Sequence, residues 1–539
     1  MQKPFVIVLC FTGLLLTSSA IGQSTLESAE RWYQQGAELA HQLGSDKAKA
    51  KNVILFVGDG MSLPTVAAAR IYEGQLRQQT GEENQLSFEK FPYTAFSKTY
   101  NTDSQTPDSA GTMTAMITGA KTRMGFLSVG QIPRRGDCAG SLKQPLASAI
   151  SLAELSGLST GIVTTTRITH ATPAATYAHT PERNSESDVD MPADAKAQGC
   201  KDIAQQLVDY STGNGLEVVM GGGLNKFLPK GDNAEFPKAK GARADGRNLL
   251  TEWHSKRPDA RFVFSASELA TIDGKGTTKL VGLFNADHMN YDHDRTAHKI
   301  DEPSLAEMTR KAIEILSKNK SGFFLMVEGG RIDHAHHAGN AFRALTDTVA
   351  FSDAIRVATE MTSDKDTLIM VTADHSHTMS FVGYPQRGNP ILGKVIGKSS
   401  EDAPPGLVKD SAGKPYTTLQ YTNGPGNAGE TNKQAAGIKK FPHNPTGVIK
   451  DYTGRPDITD VNTEDPDFMQ EALVPSSAET HGGDDVGIWA RGPGSEAVHG
   501  NMEQNTIFHL LTQPQPLIRK WLCKNGYCKN GVPSILPKL

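Results

Sequence analysis

The chain has 539 residues, enough for more than one domain at roughly 150 residues each. Hydrophobic residues make up 37% and the formal net charge is −4, the balance of an ordinary globular protein. That charge gives no reason to expect nucleic acid or an anionic membrane as a partner.

At the N-terminus, Lys3 precedes the apolar run Phe5–Leu16 (FVIVLCFTGLLL), followed by small residues ending in Ala20-Ile21-Gly22. Residues 1–22 read as a secretory signal, with small residues at −3 and −1 of a cleavage after Gly22. The run is too short to span a bilayer. No second run of spanning length follows, and the C-terminal NGVPSILPKL has no tail of the kind a GPI anchor needs. An exported chain, periplasmic or secreted, with no membrane span is expected. Cys10 leaves with the signal, and Cys138, Cys200, Cys523 and Cys528 remain. An even count in an exported chain suggests two disulfides. Of the three connectivities we adopt the sequence-local one, 138–200 and 523–528, with free structural thiols as the alternative.

Short β-type runs then recur, each ending in polar or glycine-rich residues. They are Val53–Val57 (then GDG), Gly161–Thr166 (then RITHAT), Glu217–Met220 (then GGG), Phe323–Val327 (then EGGRIDHAHH) and Thr367–Thr372 (then ADHSH). Continuous apolar runs suit strands buried on both faces of a parallel sheet. Ser304–Leu316 between them carries helical spacing at Leu305, Met308, Ala312, Ile315 and Leu316. The pattern predicts a three-layer α/β sandwich with a largely parallel central sheet flanked by helices. The expected division is a core over 23–385, a loop-rich insertion over 386–444 and a return to the core over 445–539. The insertion is rich in Gly, Pro, Asn and Lys with little periodicity; disorder is the competing reading, against which Tyr416–Tyr421 (YTTLQY) counts mildly.

In open α/β sheets, ligands bind beyond the carboxyl ends of the strands. Asp59, Glu328, Asp374 and His375 all fall there. Asp333 and His337 are four apart in a segment expected to continue as one helix, a spacing that puts two metal ligands on one face. His481 precedes a further strand, Val486–Ala490. An isolated Asp after a strand is usually a cap, and a lone His is more often structural than a ligand. Their joint occurrence at strand ends changes that balance. Carboxylates and imidazoles without cysteine suit zinc, and magnesium where oxygen dominates. Ser109, in PDSAGT, opens a helix-like run whose N-terminus favours an anion; taken alone it reads as a cap. No Gly-x-Ser-x-Gly elbow marks it as an esterase serine, so a metal-activated nucleophile fits better.

Together VGDGM (57–61), PDSAGT (107–112), RITHATPA (167–174), VEGGRIDHAHH (327–337), VTADHSHTMSFVGYP (371–385) and ETHGGDDVGIWARGP (479–493) resemble the alkaline phosphatases, in family order and over nearly the whole mature chain. The likeness is strongest to the branch that includes the animal enzymes. It implies a phosphomonoesterase with two zincs and one magnesium. By that resemblance Ser109 is the nucleophile and Arg183 (HTPERN) clamps the phosphoryl oxygens. Asp59, Asp374 and His375 hold the zinc that activates Ser109, and Asp333, His337 and His481 hold the zinc at the leaving group. Asp59, Thr172 and Glu328 hold magnesium. His170 and His334 lie just outside these ligands, where enterobacterial members have Asp and Lys and animal members have His. His336 is assigned no role. Animal members carry a fourth, calcium-type site. Glu235 and Glu302 match two of its ligands, but Asn285 stands where a Glu is expected, which weakens the case for calcium. The family's cysteine pairing agrees with the local one, its crown region falls at 386–444, and a homodimer is implied. Within enzymes the alternatives are a phosphodiesterase or sulfatase of the same superfamily. A sulfatase would need a C/S-x-P-x-R context that Ser109 lacks. An exported metal-binding protein without catalysis is the alternative from another class.

Overall fold

A computed structural model describes residues 27–231, 240–398, 404–447, 450 and 454–538. The signal segment 1–22 and Glu235 lie outside the described residues. Ten strands form one sheet: β1 (Asn52–Gly58), β2 (Tyr93–Lys98), β3 (Ser159–Arg167), β4 (Val218–Gly222), β5 (Ala260–Val263), β6 (Lys279–Leu283), β7 (Phe323–Gly329), β8 (Thr367–Ala373), β9 (Val486–Arg491) and β10 (Asn501–Glu503). Their order is β10-β2-β9-β8-β1-β7-β3-β4-β6-β5, and only β9 runs antiparallel to its neighbours.

The centre of the sheet is buried on both faces, which is why its strands read as unbroken apolar runs. Along β1 the side chains alternate between two cores. Val53, Leu55 and Val57 pack into one, which also holds residues of α1 (Ala29–Gln42), α3 (Ser109–Thr118) and α7 (Thr506–Thr512). Ile54 and Phe56 pack into the other, with α2 (Leu63–Leu76), α4 (Leu305–Leu316) and α6 (Ala341–Met361). The result is the expected three-layer sandwich.

The helix expected to run on from Asp333 is two helices. α5 (Arg331–His337) stops, Gly339 takes the left-handed φ of +65°, and the Asn340 side chain accepts the Arg343 N–H at 2.8 Å to start α6. Glycine permits that conformation at little cost, and asparagine is a strong N-cap.

A second sheet joins Met379–Phe381, Leu419–Gly424 and Ala472–Pro475, and irregular chain fills most of the stretch between those strands. Cys138 is bonded to Cys200 and Cys523 to Cys528. Among the described residues, no helix is long and apolar enough to cross a membrane.

Candidate metal centre and active site

The carboxyl ends of β1, β7 and β8 deliver the acids. Asp59 follows β1, Glu328 is the penultimate residue of β7, and Asp374 and His375 follow β8, all fully buried. The chain leaves β1 through Gly60 at φ +68°, where a Cβ would stand 2.2 Å from His377, so no larger residue fits beside the site. The Gly60 N–H donates to Asp374 Oδ1 at 3.0 Å.

Asp333, His337 and His481 form the first cluster. Asp333 Oδ1 is 3.3 Å from His337 Nε2 and 3.4 Å from His481 Nε2, and those two nitrogens are 3.1 Å apart. The other nitrogen of each ring faces a backbone carbonyl: His337 Nδ1 donates to Glu479 O at 2.6 Å, and His481 Nδ1 to Pro107 O at 2.8 Å. A carbonyl can only accept, so it assigns the proton to Nδ1 in both rings. Two lone pairs and a carboxylate oxygen therefore converge with no proton between them. Such a contact is repulsive unless a cation occupies it, and nitrogen with oxygen donors is a zinc-type set.

His375 repeats the arrangement. Its Nδ1 faces Ser376 O at 3.2 Å, and its Nε2 lies 3.3 Å from Asp59 Oδ1, 3.3 Å from Asp374 Oδ2 and 3.1 Å from Ser109 Oγ. Burial, then the charges of Asp374, Asp333 and Glu328, drives the Asp59 carboxyl well above its ordinary value. A bound cation would reverse that. The third cluster is oxygen-rich. Asp59 Oδ2 accepts from Thr172 Oγ1 at 3.5 Å, and Glu328 Oε2 accepts from Thr164 and, at 3.0 Å, from Thr166. Glu328 Oε1 is buried without a partner, and burial pushes this carboxyl up to about 7. Carboxylate and hydroxyl oxygens with an orphaned acceptor fit a hard cation such as magnesium.

Ser109 opens α3. Asp108 caps that helix, accepting the Gly111 N–H at 3.1 Å, and its other oxygen takes Gly125 N–H at 2.9 Å and Arg183 Nη1 at 3.1 Å. The acid that starts the helix thus also aims the guanidinium toward the serine's end of it. Arg183 Nη2 lies 3.2 Å from His170 Nε2, and the rings of His170 and His334 are 5.4 Å apart. Asp59, Ser109, His170, Thr172, Arg183, Glu328, Asp333, His334, His337, Asp374, His375 and His481 stand along this one edge of the sheet. His336 turns away, to Thr65 Oγ1 at 3.0 Å and Tyr421 Oη at 2.8 Å.

Three residues were missed as participants: Asp108, His377 and Glu479. His377 Nε2 donates to Asp333 Oδ1 at 2.6 Å and Nδ1 to Glu479 Oε2 at 2.5 Å. Burial works against its proton, but Glu479 and Asp333 outweigh it and raise the imidazole to about 10. The available signal was spacing: His377 is two residues beyond His375, and Glu479 two before His481.

The calcium-type set does not fit. Glu302 is buried, and its carboxylate already accepts from Asn285 Nδ2 at 2.6 Å, Asn290 Nδ2 at 2.8 Å and Asn290 N–H at 2.9 Å. The amide at position 285 supplies protons where a carboxylate would supply lone pairs.

Fold and site define an α/β enzyme whose buried acids and imidazoles are arranged for divalent cations. A family model described as Alkaline phosphatase matches residues 50–515. The chain is 42% identical over 525 residues to the tissue-nonspecific alkaline phosphatase of Felis catus, spanning 95% of this chain and 92% of that one. It is 42% identical over 487 residues to an alkaline phosphatase of Gadus morhua, spanning 89% and 95%. The Thermus thermophilus alkaline phosphatase structure matches with a TM-score of 0.60 at 24% identity, over 87% of this chain and 92% of that one, a likeness of fold alone. The chain belongs to the alkaline phosphatase family, and it is an enzyme of that family.

Proposed function

We propose that this enzyme hydrolyses phosphate monoesters through a phosphoserine on Ser109. Asp59, Asp374 and His375 would hold one zinc, Asp333, His337 and His481 a second, and Asp59, Thr172 and Glu328 a magnesium. The observation that carries the reading is Ser109 Oγ at a helix N-terminus, 3.1 Å from a His375 nitrogen whose proton lies on its far side. When bound, the cations would favour deprotonated oxygen nucleophiles and offset the negative charge of the leaving oxygen.

The protein's own residues do the rest. Arg183, aimed by Asp108, holds two phosphoryl oxygens in its planar fork. The N-terminus of α3 favours negative charge at Ser109. In the first displacement the serine oxygen bonds to phosphorus as the ester P–O bond breaks, and the departing alkoxide takes a proton from solvent. In the second, water attacks the phosphoserine, the Ser109–phosphorus bond breaks, and inorganic phosphate leaves. Because both attacking oxygens must lose a proton, activity rises toward alkaline pH. We also read residues 1–22 as an export signal, 386–444 as an accessory crown-like segment of the core, and the working form as a homodimer.

The test is hydrolysis of p-nitrophenyl phosphate by the zinc- and magnesium-loaded protein beside Ser109→Ala. Loss of about 10⁴- to 10⁶-fold in kcat is the expected cost of removing a nucleophile. Radiolabelled phosphate should be trapped on Ser109 at low pH and on no residue of the variant. Preference for diesters or sulfate esters would sink the monoester reading.

A further inference from the structure

At the end of β8 away from the candidate metal ligands, the chain forms a second concavity. β8 spans about 20 Å between Thr367 at this end and Ala373 at the other, so the two sites are separate. The start of β2, the end of β9 and the last turns of α6 border a groove of about 660 Å³, within the range of small-molecule sites. Phe91, Pro92, Tyr93 and Pro493 give it apolar walls on which a flat body can rest. Lys90, Arg356, Arg491, Glu360, Asp364 and Glu496 give it charges of both signs in equal number.

Their partners decide which of those charges is free. Arg356 donates to Asp353 Oδ1 at 2.9 Å and to Glu360 Oε1 at 3.2 Å, and Glu496 Oε2 accepts the Gly494 N–H at 2.9 Å. Arg491 is 19% exposed, yet its guanidinium donates no hydrogen bond to any described residue. Its one ion-pair partner among them, Asp364, stands 3.8 Å away, beyond hydrogen-bond length. That carboxylate is 67% exposed, so water screens most of the attraction. The guanidinium lies 5.9 Å over the Phe91 ring, and the exposed ammonium of Lys90, one residue before Phe91, makes no ion pair with a described carboxylate. A guanidinium that makes none of its bonds within the chain is free to make them to a ligand. Its planar fork of donors matches the two oxygens of a carboxylate.

We propose that this groove binds an aromatic carboxylate, whose two oxygens take the fork of Arg491 and whose ring lies against Phe91 and Tyr93. Lys90 adds positive charge at the rim. The site does not rest on the monoesterase reading above. The experiment is calorimetric titration of the metal-loaded protein with 2-naphthoate. Two controls accompany it: 2-naphthamide keeps the ring without the charge, and acetate keeps the charge without the ring. The same titrations are run on Arg491→Lys, which keeps the charge without the planar fork, on Lys90→Met and on Asp333→Asn. One equivalent of 2-naphthoate should bind at least about tenfold more tightly than either control, the order expected for hydrogen bonds to a charged group. Arg491→Lys should weaken it about tenfold and Lys90→Met about two- to fivefold, the reach of an exposed charge. Hydrolysis of p-nitrophenyl phosphate should be unchanged in both.

No detectable binding of 2-naphthoate overturns the proposal. Equal binding of 2-naphthamide also overturns it, because an apolar surface would then suffice. An affinity that falls in Asp333→Asn and not in Arg491→Lys would put the ligand at the metal centre and has the same effect. If Arg491→Lys melts early, Lys90→Met decides, since its side chain is exposed. Weaker naphthoate binding by that variant at unchanged Tm then supports the groove, and unchanged binding overturns it. If p-nitrophenyl phosphate is not hydrolysed by the unaltered protein, the monoesterase reading fails while the titrations still decide the groove.

Discussion

Asp333 and Glu302 are both buried acids, and the chain treats them in opposite ways. Glu302 is satisfied from within, by two asparagine amides and a backbone N–H. Asp333 Oδ1 takes one proton from within, from His377, but the same oxygen also faces two imidazole nitrogens that bring lone pairs, so part of its environment is left for something outside the chain to complete. Burying a charge is costly unless it is paired and hydrogen-bonded, and a protein can supply the partner or leave that task to a cation. The difference lies in the chemistry of the neighbours, since an amide brings protons and an imidazole held by a carbonyl brings a lone pair. It predicts which parts of the molecule respond to metal and which do not.

The largest effect should come from breaking the incomplete side. Asp333→Asn removes the shared anion and puts an amide beside two lone pairs. Loss of several kcal/mol of transition-state stabilisation, on the order of 10³-fold in kcat/KM, is expected, with about one fewer zinc bound by mass spectrometry. Full zinc content with full activity would show that Asp333 does not belong to the centre.

Glu479→Gln probes the next layer. Glu479 holds His377, and His377 holds Asp333, so the substitution should weaken zinc by about 10- to 100-fold while Ser109 and Arg183 keep their places. Competition with a zinc chelator measures it. Retention equal to the wild type would reduce Glu479 to a packing residue.

How much of this was legible in the sequence depends on how local the signal is. β1, β3, β4, β7 and β8 are buried in the middle of the sheet and announce themselves as apolar runs. β2 is partly exposed along its length, β5 is a short edge strand and β10 has three residues, so none offers a run to read. Candidate ligands placed directly after strands, or four apart on a helix, carry their geometry in their spacing. The pairing of Glu479 with His377 spans 102 positions and depends on a short antiparallel contact between His481–Gly482 and Ser376–His377, which no periodicity encodes. The break between α5 and α6 was legible in principle, since Gly339-Asn340 is a stop followed by a cap.

The proton on His377 gives a pH test of moderate size. Its folded value is raised to about 10 from 6.5, so the metal-free protein holds this proton and the unfolded chain releases it between those values. The contribution to stability is whole below about pH 6.5 and falls by about 1.4 kcal/mol per pH unit as pH rises toward 10. Denaturant unfolding of the chelated protein across that window should show the slope, and His377→Gln should remove it. A slope unchanged in the variant would place the titration elsewhere.

The smallest effect belongs to the completed side, and it tests the comparison most directly. If Glu302 is satisfied by Asn285 and Asn290, adding calcium to the zinc- and magnesium-loaded protein has nothing to bind there and should move Tm by less than about 1 °C. Asn285→Glu turns the donor into an acceptor and sets two carboxylates against each other. Without calcium the variant should lose about 1–3 kcal/mol, the cost of leaving a buried partner unsatisfied, and calcium should restore most of it. A calcium-dependent Tm in the unaltered protein would mean the amides do not complete Glu302. A calcium-insensitive variant would mean that carboxylate chemistry alone, without the rest of a cation's coordination shell, is not enough to convert one kind of buried acid into the other.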